Sequence, residues 1–134
     1  MDDIKEGFTP LFRTSPFLDL LGPFYQKRTP EGLAIGLRVD EKHCNARGTA
    51  HGGLMATLAD IALGYNAAFT QDPPLNLVTT SMSTDFAGVA KRGDWLEASV
   101  DIQKAGSRLV FANAYLSVNG ERIVRSSASF LVKS

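Results

Sequence analysis

Between residues 33 and 39 every second side chain is apolar, with Leu33, Ile35, Leu37 and Val39 on one face. That period of two predicts a half-buried strand. A companion strand over 24–29 precedes it, joined by the Pro30-Glu31-Gly32 turn. The same alternation returns in the second half of the chain. Val78, Thr80, Met82, Thr84 and Phe86 share one face of a strand over 77–87, and Leu96, Ala98, Val100 and Ile102 oppose Trp95, Glu97, Ser99, Asp101 and Gln103 over 95–104. Two more strands follow at 108–118, through Val110, Ala112, Ala114, Leu116 and Val118, and at 121–132, through Val124, Ala128, Phe130 and Val132. Ala105-Gly106 and Asn119-Gly120 mark hairpin turns, the second a strong signal.

The pattern breaks at 53–69, which is too long for a strand and rich in Ala, Leu and Met, so a helix is predicted. It is apolar nearly all round and must be buried on most sides. A short helix over 15–21 fits Ser15 as cap, Pro16 at the first position and Gly22-Pro23 as the stop. One buried helix against a mainly antiparallel sheet of five or six strands is an α+β architecture. Such a sheet leaves an edge strand and a helix flank uncovered, and a second copy would cover both.

The chain has 134 residues, which reads as a single domain over 1–134, with 1–14 as a loosely ordered start. Fourteen basic residues balance 14 acidic ones, so no bulk field favours nucleic acid or an anionic membrane. The single cysteine, Cys44, excludes an internal disulfide. The run over 52–69 falls short of the ~20 residues of a membrane span and holds Asp60 and Asn66. The opening residues lack a secretory pattern, so a cytoplasmic domain is expected.

Chemistry concentrates in Asn45-Ala-Arg-Gly-Thr-Ala-His51-Gly52-Gly53 and the helix after it. Asp60 is the only formal charge from Gly48 to Gln71, and a carboxylate among Leu, Ile, Met and Ala is costly to desolvate. Gly52 and Gly53 stand where the helix begins and can leave bare N–H groups toward a ligand. Eight residues of helix span about 12 Å, whereas a base and an oxyanion donor must meet adjacent atoms. Asp60 and Gly52 of one chain therefore cannot serve one carbonyl; Asp60 of one copy and Gly52 of an antiparallel second copy can. His43, Cys44 and His51 lack a fourth ligand and match no structural zinc site, so no metal and no cofactor is expected.

Asn45-x-x-Gly48-x-x-His51-Gly52-Gly53 with Leu58-x-Asp60 resembles the signature of hotdog-fold acyl-CoA thioesterases of the phenylacetic-acid-degradation (PaaI-like) group. The Leu20-Leu21-Gly22 element, Phe86-x4-Lys91-x-Gly93 and the closing hairpin fall in the same order, over roughly 15–132. The resemblance implies a hotdog fold, an antiparallel sheet of about six strands wrapped round one long central helix. It implies a homodimer, or a dimer of dimers, with sites at the interface, and hydrolysis of an aryl- or medium-chain acyl-CoA.

Asp60 is then general base or nucleophile, and the Gly52 amide polarises the carbonyl. Asn45 orients the thioester or the water, or holds its own loop as an Asx turn. His51 lies near the carbonyl or holds the loop. Thr79 takes the position of the hydroxyl that holds the attacking water in that group. Lys91, Arg92, Lys104 and Arg108 are candidates for the phosphates of coenzyme A. Two other readings stay open: a hotdog hydratase or dehydratase, and a non-catalytic acyl-CoA binding protein.

Overall fold

The computed structural model describes residues 4–133. Its elements are β1 (Thr9–Pro10), α1 (Pro16–Leu21), β2 (Tyr25–Thr29), β3 (Gly32–Arg38), a 3-10 turn (Glu41–His43), α2 (Gly52–Ala68), β4 (Leu77–Phe86), β5 (Trp95–Ala105), β6 (Leu109–Val118) and β7 (Glu121–Val132). All strands join one antiparallel sheet of seven, in the order β1-β2-β3-β5-β6-β7-β4. Six of them correspond to the strands expected from the alternation; β1 is a two-residue addition at the edge. Asn119 and Gly120, with φ of 51° and 83°, close the β6–β7 hairpin in the primed geometry that matches strand twist.

The sheet curves over α2, which packs against β3, β4, β5, β6 and β7. Leu58 and Leu63 of the helix are fully buried against Leu37, Leu96 and Leu116; each contributes about 1.5–3 kcal/mol by leaving water. A polar side chain of α2 sits inside this core. Asn66 of α2 is buried, and its Oδ1 accepts from the Leu33 amide at 2.9 Å. Its Nδ2 donates to the Leu33 carbonyl at 2.9 Å and to the Ala62 carbonyl at 2.8 Å. The contact needs Gly32 beside it, since a Cβ there would stand 2.4 Å from Oδ1. Asn66 thus ties the helix to the start of β3.

Three expectations change. The start of the chain was expected to be loosely ordered, yet the described part packs along the sheet. Phe8 is buried with its ring 5.1 Å from that of Trp95, and β1 pairs with β2; residues 1–3 lie outside the described residues. Trp95, assigned to the polar face, is therefore covered, by Phe8, Tyr25 and the flat surface of Gly36. In β4 a bulge interrupts the alternation: Thr79 faces Phe130 and Ser81 faces Ser129, leaving Thr80 as the extra residue. Thr79 therefore joins Met82, Thr84 and Phe86 on the inner face, and Val78 turns outward. The other edge of β4 has no strand partner among the described residues.

Candidate active site

The loop that feeds α2 is held from below. His43 is buried, its Nδ1 accepts from the Asp40 amide at 2.9 Å, and its Nε2 faces the Leu21 carbonyl at 2.5 Å. A carbonyl only accepts, so that contact places the ring proton on Nε2. The His43 carbonyl in turn accepts from the His51 amide at 2.8 Å. Ala50 N–H donates to the Ala90 carbonyl at 2.7 Å, and Arg92 N–H to the Gly48 carbonyl at 3.3 Å. This network straps 48–51 to the segment after β4.

His51 is the cap residue of α2, exposed and extended, and its side chain caps nothing. The amides of Gly52, Gly53 and Leu54 find no acceptor among the described residues. They form the open positive end of the helix dipole. The Phe86 ring borders this turn, 3.5 Å from where a Cβ on Gly52 would lie.

Asp60 is two turns further along. With Gly53, Thr57 and Gly64 it forms a stripe of short side chains that stays at least partly open in the single chain. Asp60 has no ion-pair partner among the described residues. Asp60 is exposed in the single chain, and partial desolvation of the carboxylate against the helix surface raises its pKa above the ordinary 3.8.

The other site candidates are distributed unevenly. Asn45 spends its side chain on its own loop: Oδ1 accepts from Arg47 N–H at 2.9 Å and Thr49 N–H at 3.3 Å, while Nδ2 donates to Thr49 Oγ1 at 3.0 Å. This is the Asx-turn arrangement. Thr79 is exposed on the inner face, and its hydroxyl has no partner among the described residues. Lys91 and Arg92 lie beside 48–49 at the start of α2. Lys104 and Arg108 flank the β5–β6 hairpin, where Arg108 C=O accepts from Val132 N–H at 2.9 Å. The two pairs stand at opposite ends of β5, whose 11 residues span on the order of 30 Å. One chain does not gather the four around a single nucleotide.

Cys44 points its thiol at the Asp40 carbonyl, 3.3 Å away. Among the described residues no group of three His, Cys, Asp or Glu side chains is gathered for a metal. No described helix is long and apolar enough to cross a membrane. Sequence reading gave no site role to Phe86, although an aromatic ending a strand just before a basic loop is a usable signal. Asn66 entered it only as a polar residue of the helical run, with no structural role assigned.

A single long helix wrapped by an antiparallel sheet in this order is the hotdog fold. Zebra fish thioesterase superfamily member 2 superimposes with a TM-score of 0.81 at 26% identity, over 89% of this chain and 88% of that one. A mutant of the phenylacetic acid degradation protein PaaI from Thermus thermophilus shares the fold with a TM-score of 0.79 at 21% identity, over 89% and 100%. Residues 47–121, which include Gly52, Asp60 and Thr79, match the family described as the thioesterase superfamily. A Pseudomonas aeruginosa protein named provisionally as an esterase is 53% identical over 96% of both chains. Human acyl-coenzyme A thioesterase 13 is 32% identical over 85% of this chain and 81% of its own length. The chain belongs to the thioesterase superfamily and has the hotdog fold.

Proposed function

We propose that the protein hydrolyses acyl-CoA thioesters to a free acid and coenzyme A, with Asp60 as general base. The observation that carries this reading is Asp60 itself, a carboxylate without a cation on the open flank of an apolar helix, with its pKa raised. A raised pKa makes the carboxylate a stronger proton acceptor at neutral pH. Water, its proton passing to Asp60, attacks the thioester carbon while the Gly52 amide holds the developing oxyanion. The C–S bond then breaks, and the thiolate leaves and is protonated.

Asp60 and Gly52 stand about 12 Å apart along their helix, so the two come from different copies of the chain. The unpaired edge of β4 and the small-residue stripe on α2 support an antiparallel homodimer. The same symmetry brings the start of one α2 toward the end of the other. Lys91 and Arg92 of one copy then approach Lys104 and Arg108 of the second, a paired clamp for the nucleotide phosphates. Thr79, with its free hydroxyl, holds the water; His51 and Asn45 shape the loop that presents Gly52.

The test is purified protein against a panel of acyl-CoAs with a thiol-detecting dye. Thiol release by the wild type and its loss in Asp60→Asn are expected. Full turnover in Asp60→Asn would remove Asp60 from the chemistry.

A further inference from the structure

Two hydroxyls interrupt the apolar inner face of the sheet beneath the Gly52 flank of α2. Ser126 of β7 is 1% exposed, opposite Thr84 of β4 in the register. Ser126 Oγ lies 3.0 Å from the Ser83 carbonyl oxygen and 2.9 Å from Thr84 Oγ1. A carbonyl only accepts, so the single Ser126 proton goes there. Thr84 then donates its own proton to Ser126. What the half-buried Thr84 oxygen has left to offer is lone pairs alone.

Thr84 also has a defined place along the substrate path. Phe86, the next residue on the same face, borders Gly52. One step of two residues along a strand is about 6.6 Å. From Phe86 the chain leads one way to Lys91 and Arg92 and the other way to Thr84. With the thioester oxygen on Gly52 and the nucleotide toward the basic residues, the acyl group extends toward Thr84.

Building on the acyl-CoA reading, we propose that Thr84, oriented by Ser126, is a specificity-determining residue for the acyl group. It accepts a hydrogen bond from a hydroxyl or amide N–H carried roughly five bonds beyond the carbonyl, the reach set by that ~6.6 Å step. A plain alkyl chain leaves the Thr84 lone pairs dry and unmatched, and an acceptor-only group sets oxygen against oxygen.

The experiment compares 6-hydroxyhexanoyl-CoA, hexanoyl-CoA and 6-methoxyhexanoyl-CoA by kcat/KM. The matching non-hydrolysable S-alkyl thioethers of coenzyme A are compared by Kd. Wild type should favour the hydroxyl over the plain chain by about threefold to tenfold, the worth of one net hydrogen bond, and should rank the methoxy compound last. Thr84→Val should bring the hydroxyl-to-alkyl ratio to about one. Ser126→Ala frees the Thr84 proton and should lift the methoxy compound relative to the plain chain.

A wild-type ratio near one in both measurements, or a ratio untouched by Thr84→Val, overturns the proposal even with brisk hydrolysis. If Thr84→Val fails to fold, an unmoved methoxy rank in Ser126→Ala overturns it. A Kd preference with no hydrolysis of any of the three supports the Thr84 contact and rejects the hydrolase reading instead.

Discussion

Replacing Asn66 tests the tie between α2 and the sheet. Asn66→Ala deletes three hydrogen bonds of 2.8–2.9 Å and strands the buried amide and carbonyl of Leu33. At about 1–3 kcal/mol for each orphaned buried group, the expected loss is about 3–5 kcal/mol. That is a large share of the roughly 5–15 kcal/mol that holds a domain of this size folded, and it lowers Tm by roughly 10–20 °C.

Asn66→Asp is nearly isosteric and more diagnostic. One carboxylate oxygen still accepts from Leu33 N–H, but the other replaces a donor and faces the Leu33 and Ala62 carbonyls. The folded variant therefore favours the protonated acid, and its pKa rises above the unfolded value. In that window the native state binds more protons than the unfolded chain, so stability is lost as pH rises through the folded pKa. Urea unfolding followed by circular dichroism at pH 5 and pH 8, at fixed protein concentration, reads this directly. Wild type runs beside it because Asp60 shifts in the same direction. An Asn66→Asp chain with no more pH dependence than wild type, or an Asn66→Ala loss below about 1 kcal/mol, would refute the reasoning.

Asp60→Asn should lower kcat/KM by about 10² to 10⁴ and abolish an acid limb lying above pH 3.8, the ordinary carboxylate value. The raised folded pKa means that ionising Asp60 opposes folding, so Asp60→Asn should also unfold at higher temperature than wild type above that limb. Gly52→Ala should keep most activity, because its amide survives and the new methyl meets the Phe86 ring at an ordinary 3.5 Å; a loss as large as that of Asp60→Asn would argue for a tighter fit. Arg108→Ala should raise KM for acyl-CoA at low salt and little at high salt, and an equal loss on a short acyl thioester without the nucleotide would place Arg108 in the fold instead. Sedimentation should show a dimer or larger; an active 14.5 kDa species would reject a site shared between copies.

Period and turn chemistry revealed the fold well, because strands with one buried face alternate and α2 has too few polar residues to be anything but central. The exceptions have local causes. The bulge at Thr80 inserts one residue, and alternation alone gives no warning of it. Trp95 sits on the outward phase of β5, and its burial depends on Phe8, distant in sequence. The site was legible where chemistry is sparse: Asp60 stands out as the one charge in its stretch. The basic residues were legible as charges but not as two separated pairs, since only the direction of β5 sets them at opposite ends. The Thr84–Ser126 pair was hidden because a hydroxyl on a strand looks the same whether it faces water or a neighbour.

Trp95 is also the only tryptophan of the chain, and its position gives it a second use. Its ring lies on the outer face of the sheet, under Phe8 and Tyr25 and beneath the Arg38 guanidinium at 5.2 Å, with the whole sheet between it and α2. Its emission should therefore respond to the docking of the first strand and to unfolding, and should stay unchanged on addition of a ligand that binds along the helix. The protein carries its own optical gauge of folding, electronically separate from the chemistry, and the two can be followed in one cuvette without a label.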